Sequence, residues 1–149
     1  MNQKFDIWER HETVAQQLLW WSALSISVGV ALLVPTHAFA RGCGLQAIVW
    51  GLVDAAIAWF GSRKTRSRRA SLAHPDDPII IASEARKLRN LLLFNAGLDV
   101  LYVLGGWLWT QKAESEFARG NAWGVILQGA FLFVFDLTHW LRLTAKRMA

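Results

Sequence analysis

Four long stretches of this chain are almost free of charge. Residues 13–36 run 24 positions without a charged side chain. Residues 42–61 hold one in 20 positions, Asp54. Residues 90–111 hold one in 22, Asp99, and residues 120–141 hold one in 22, Asp136. A helix rises about 1.5 Å per residue and a bilayer's hydrocarbon is about 30 Å thick, so about 20 apolar residues suffice to cross it. The pattern predicts four transmembrane helices, over residues 13–34, 43–61, 90–111 and 121–141. The segments between them are too short and too polar for a soluble domain. The fold class expected is all-α: one integral-membrane four-helix bundle over residues 1–149.

The flanks refine this picture. Residues 2–12 read as an amphipathic lead-in on which Phe5, Trp8 and Ala15 share a face, running straight into the first span. That span is expected to end before Pro35. Ala38-Phe39-Ala40 resembles a signal-peptidase site, but the preceding uncharged run is too long for a signal peptide and Asp6, Glu9 and Glu12 cancel its basic start, so the span is expected to be retained. Between the second and third spans lies a basic connection, residues 62–89. Its first part, Ser62–Arg69, reads as a solvated loop. Asp77 followed by Pro78 marks a helix start, with Asp77 as N-cap and Pro78 at the first helical position.

Composition changes the picture in one respect. The net charge is +5, which on a soluble chain would raise nucleic acid as a partner. The placement of the cations excludes that reading. Thirteen of the 16 Lys and Arg lie in the N-terminal segment, the 62–89 connection or the C-terminal segment. Only Arg41, Lys112 and Arg119 lie in the other two connections. With four crossings these groups fall on opposite sides, and the positive-inside rule puts both termini and the basic connection in the cytoplasm. Arg63, Lys64, Arg66, Arg68 and Arg69 then face anionic lipid headgroups. Cys43 is the single cysteine, so no intrachain disulfide is possible. Most of the nine tryptophans fall near span ends, as interfacial belts require; Trp20, Trp21 and Trp50 lie deeper.

The candidate chemistry is in the spans themselves. An intramembrane carboxylate costs about 2.5–3.5 kcal/mol on insertion scales. Asp54, Asp99 and Asp136 lie nine, ten and six residues from the nearest basic flank, or roughly 9–15 Å along a helix. They are thus expected at one depth, in the cytoplasmic half. Asn95 lies one turn inward of Asp99 and Tyr102 one turn outward. His139 and then Arg142 follow Asp136 along one face. Gln46 and Gln128 each precede an aspartate by eight residues, a weak hint that spans one–two and three–four are related hairpins. The expected polar site is therefore Asp54, Asp99, Asp136, Asn95, Tyr102, Gln46, Gln128 and His139. Two readings compete. In one, these side chains form a hydrogen-bonded lock between helices, with Asp136 paired to His139 or Arg142 and the other two to arginines of the basic connection. In the other, they line a proton or cation path or a ligand site.

Other chemistry lacks its signature. No P-loop, dinucleotide glycine pattern, His-Glu-x-x-His or Cys-x-x-Cys-His occurs. Only His139 lies within or beside a span, so a bis-histidine haem is not expected. No catalytic residue, metal site or cofactor is expected.

In the second half, Asn95-Ala-Gly-Leu-Asp99-Val-Leu-Tyr102, Gly105-Gly106 and Gln128-Gly129-Ala-Phe131-Leu-Phe-Val-Phe135-Asp136 resemble a family of small, uncharacterised bacterial membrane proteins with four spans. The resemblance covers residues 90–140. It implies four helices with Asn, Asp, Tyr and Gln facing inward, a bacterial inner-membrane location, and no known activity. The first functional expectation is a non-catalytic accessory or scaffold subunit that packs against other membrane subunits or copies of itself. Small-x-x-x-small pairs (Ser25/Gly29, Gly51/Ala55, Gly120/Gly124) suit such contacts. The second is a small proton- or cation-coupled transporter or channel using the three carboxylates. The third is a lipid-substrate enzyme.

Overall fold

The computed structural model describes residues 6–34 and 37–148. Lys4 and Phe5 of the expected lead-in, and Pro35 after the first span, lie outside them. Four helices account for nearly all of the described chain: α1 (Ile7–Leu33), α2 (Ala38–Ala70), α3 (Pro78–Lys112) and α4 (Glu116–Met148). At 27 to 35 residues each, they are roughly 40–50 Å long. All four are long and apolar enough to cross a membrane.

The helix starts follow local chemistry. Asp6 caps α1, accepting from the backbone N–H groups of Trp8 and Glu9. Asp77 caps α3, accepting from Ile79 N–H at 2.7 Å, and Pro78 occupies the first turn. Ser115 Oγ accepts from Ala118 N–H at the start of α4. Each cap satisfies a donor that the first helical turn leaves without an intrahelical partner.

The basic stretch 62–69 is not a loop. It forms the last two turns of α2, which continues to Ala70. Acidic partners hold it there. Arg66 pairs with Glu12 at 3.0 Å, Arg69 with Asp6 at 3.8 Å and Arg68 with Glu84 at 3.5 Å. A run of cations that would repel itself as an isolated helix is neutralised by the start of α1 and the first turns of α3.

The four helices form an antiparallel bundle. α1 packs on α2, α2 on α4 and α4 on α3, while α1 meets α3 at only a few residues. At one end lie the start of α1, the α2–α3 connection and the end of α4. This basic end holds the main apolar cluster: Ile7, Trp8, Leu88, Leu92 and Leu143, with Trp140 packed against it. Trp8 also donates its indole N–H to the Pro75 carbonyl at 3.1 Å, fixing the connection to α1. Towards the other end, small residues replace large ones at the helix contacts. A Cβ on Gly29 would lie 2.7 Å from the Gly44 carbonyl oxygen, and one on Gly120 would collide with the Phe39 backbone.

The surface is inverted relative to a water-soluble bundle. Among the described residues, buried polar side chains are as numerous as buried apolar ones. Trp20 is 77% exposed, and Phe60 and Phe94 also point outward. A soluble bundle buries such side chains; a bundle surrounded by hydrocarbon does not.

Candidate functional site

Three helices bring the carboxylates into one buried region of the bundle. Asp54 on α2, Asp99 on α3 and Asp136 on α4 are 2%, 3% and 6% exposed. Asp54 lies within electrostatic reach of Asp99, and Asp136 within reach of both. Gly129 of α4 lets that helix approach α3 beside Asp99: a Cβ there would sit 3.2 Å from the Asp99 carbonyl oxygen and 3.1 Å from Val103 Cγ2. The three do not converge on a point. Among the described residues, no three His, Cys, Asp or Glu side chains come close enough to share a metal ion.

Their hydrogen bonding bears on the two readings of the layer. A lock between helices needs donors on the carboxylates. Among the described residues, Oδ2 of Asp54 and Oδ2 of Asp99 are buried and have no partner. Four of the donors expected for that role are engaged elsewhere. His139 Nε2 bonds to Gln17 Oε1 at 2.9 Å, not to Asp136. Arg66, Arg68 and Arg69 pair with Glu12, Glu84 and Asp6. A buried polar atom without a partner costs about 1–3 kcal/mol, and a charged one more. No protein donor meets these two oxygens, and the packing around them comes from other residues.

A cavity of about 540 Å³ leads towards this layer from the basic end. Its rim carries Lys64 and Arg68 from α2 and Glu84 and Lys87 from α3, with His11 from α1 beside them. Glu84 is buried and accepts from Lys87 at 2.8 Å, with Arg68 at 3.5 Å. The walls are mostly apolar, with Leu18, Ile57, Leu91 and Phe135 among them. Asn95 and Asp136 supply polar groups to the lining.

Beyond the carboxylates lies a tier of satisfied amides. Gln128 Oε1 accepts from the Trp21 indole at 3.1 Å, and its amide donates to Ser25 Oγ at 3.2 Å. Gln46 donates to Asn121 Oδ1 at 2.9 Å, and Asn121 donates to the Phe117 carbonyl at 2.9 Å. Trp21 stacks on Phe131, and Trp50 meets the Tyr102 ring edge-on at 4.8 Å. The two glutamines serve different helix pairs. Gln46 bonds from α2 to α4 and Gln128 from α4 to α1, so the amides do not repeat between the hairpins.

A family model matches residues 17–137. The chain belongs to DUF6992, a family of unknown function. No curated protein and no solved structure matches it. The stretch matched to DUF6992 includes all three aspartates, Asn95, Tyr102 and both glutamines. It also includes Lys64, Arg68, Glu84 and Lys87 of the cavity rim. His139, and the Ile7 and Trp8 anchors, fall outside it.

Of the eight residues singled out in the sequence, Asp54, Asp99, Asp136, Gln128 and His139 are buried. Gln46 and Asn95 are half-buried. Tyr102 is 38% exposed and contributes its ring more than its hydroxyl. Asn121, Ser25, Trp21 and Gln17 are partners that sequence reasoning missed. Ser25 stood out only as a small residue. Asn121 is one of the few amides inside an apolar run, and that was the available signal.

Proposed function

We propose that this protein is a four-span membrane protein of a bacterial inner membrane, with its basic end in the cytoplasm, and that it conducts or exchanges protons through the Asp54–Asp99–Asp136 layer. The observation that carries this reading is the pair of buried carboxylate oxygens without donors. Intramembrane carboxylates kept at such cost mark proton relays and ion pathways. Protons suit the site better than metal cations because, among the described residues, the three carboxylates do not converge as metal ligands do. The orientation rests on the cation distribution, and the bacterial membrane on the family resemblance of residues 90–140.

The test is proton flux. The purified protein in liposomes with an entrapped pH-sensitive dye should acidify or alkalinise the lumen when a potassium diffusion potential is imposed. Asp99→Asn should abolish the flux without changing helix content. A folded wild-type protein that gives no flux under either polarity refutes the reading.

One observation favours the scaffold reading as a second possibility. The small residues expected to bind partners are largely consumed inside the chain: Gly29, Gly51, Gly120 and Gly124 all face neighbouring helices. Gly97 and Gly105 of α3, however, have nothing within 4 Å. They leave notches on either side of the exposed Leu101, where another membrane subunit or a second copy fits. Native mass of the particle in mild detergent separates a lone chain from a complex.

A further inference from the structure

The cavity at the basic end has a chemistry that a proton path alone does not require. A path needs water and titratable groups. Here most of the approach is apolar, and the polar groups sit at its two extremes. The volume of about 540 Å³ falls within the range of pockets that enclose a small organic ligand, and such pockets are mainly apolar with a few polar groups fixing orientation. Ile57 and Leu91 line it yet are each more than half exposed. They belong to α2 and α3, whose backbones barely approach one another and which side chains bridge at Arg68–Glu84 and at Trp50–Tyr102. Between these two bridges the chamber is bordered by a seam with exposed apolar sides.

The rim has a sign. Lys64, Arg68 and Lys87 meet the single carboxylate of Glu84 there. Glu84 holds Arg68 and Lys87 in place through its two ion pairs, while no ion pair among the described residues engages Lys64. The net field at the mouth is positive and favours an anion. An apolar chamber beneath a cationic mouth, opening between helices, matches one kind of molecule: a single apolar chain with an anionic head.

We propose that this cavity binds a single-chain anionic amphiphile drawn from the surrounding leaflet, its headgroup at Lys64, Arg68 and Lys87 and its chain between Leu18, Ile57, Leu91 and Phe135. The proposal deepens the functional reading above by naming what the site takes. It rests on that reading only for placing the basic end at a membrane surface. An amphiphile seated there would close the cytoplasmic approach to Asp136 with its own tail.

The experiment uses the full chain in phosphatidylcholine nanodiscs with spin-labelled stearate as the probe, at alkaline pH so that its carboxylate is ionised. A motionally restricted signal is expected. Oleate should displace it, and neither oleyl alcohol (chain alone) nor inorganic phosphate (anion alone) should do so. Lys64→Gln should weaken binding about fivefold, the loss of one basic side chain beside an anionic headgroup, and Lys64→Arg should restore it. Leu91→Trp, on the exposed wall, should remove the restricted signal by filling the chamber. A signal that survives Leu91→Trp is boundary lipid and overturns the proposal. Displacement by oleyl alcohol as effective as by oleate, or displacement by inorganic phosphate, overturns it as well. Probe binding that persists without proton flux leaves this site standing and removes the transport reading alone.

Discussion

The α1–α2 contact gives a sharp test of the packing. In Gly29→Ala the new Cβ would lie 2.7 Å from the Gly44 carbonyl oxygen, 2.7 Å from Ile48 Cγ1 and 3.0 Å from Ile48 N. Ordinary contact begins near 3.4 Å, so the shortfall is about 0.7 Å. Two of the three obstructing atoms are backbone, which no rotamer change can move. The helices must separate or shear, and overpacking of this kind costs about 1–3 kcal/mol. Alanine's better helix propensity offsets up to about 1 kcal/mol of that. Gly105→Ala is the control, because nothing lies within 4 Å of its Cβ position; it should gain about 0.5–1 kcal/mol. Thermal unfolding in mild detergent, followed by circular dichroism and by dye labelling of the single thiol, Cys43, reads both. Gly29→Ala should melt several degrees below wild type, at about 2–4 °C per kcal/mol for a chain of this size. Gly105→Ala should melt at or above wild type. The reciprocal substitution, Gly44→Ala, meets the Gly29 carbonyl at 2.7 Å. One helix separation relieves both clashes, so the double variant should cost less than the two singles added. Equal melting of Gly29→Ala and Gly105→Ala, or strict additivity of the pair, would refute the close-approach account.

Further expectations concern the polar groups. Asp54→Asn should leave the bundle as stable or raise its stability by about 1–3 kcal/mol, since it removes a buried charge whose Oδ2 has no donor; a clear loss of thermal stability would mean the carboxylate holds the helices together. Glu84→Gln should cost about 1 kcal/mol, because its partners Arg68 and Lys87 are half-exposed and screened, and the deficit should shrink in high salt. Gln128→Leu strips the Trp21 indole and Ser25 of a partner and should cost about 1–3 kcal/mol in chemical denaturation. Trp8→Ala removes a buried anchor and its bond to Pro75, and should cost about 3–5 kcal/mol, with proteolysis of the α2–α3 connection as a second readout.

Several features were legible because they are local. Asp77 and Pro78 start α3 where their chemistry requires it, since a cap is built from residues adjacent in sequence. Residues 13–33 of the first uncharged run, and the whole of the other three, each lie inside one helix long and apolar enough to cross a membrane. The basic stretch 62–69 was misread for the opposite reason. Taken alone, five cations in eight residues repel one another and favour a solvated loop. What makes them helical is Asp6, Glu12 and Glu84, two of which are more than fifty residues away.

The carboxylate layer divides along the same line. Helix rise is a local property, so counting residues from the basic flanks is enough to predict that Asp54, Asp99 and Asp136 lie towards the same end of the bundle. Whether they turn towards one another, and what meets them, depends on rotation about each helix axis. That rotation is set by contacts such as Gly129 against Asp99 and Gly29 against Gly44, between residues distant in sequence. Residue order alone specifies four apolar helices and puts one costly carboxylate in each of three of them. The packing of distant residues sets that His139 turns to Gln17, that Gln128 serves Ser25 and Trp21, that one oxygen each of Asp54 and Asp99 meets no protein donor, and that Asp136 lines a cavity with a cationic rim. Depth along a helix is additive in residue number; facing and partnership are not.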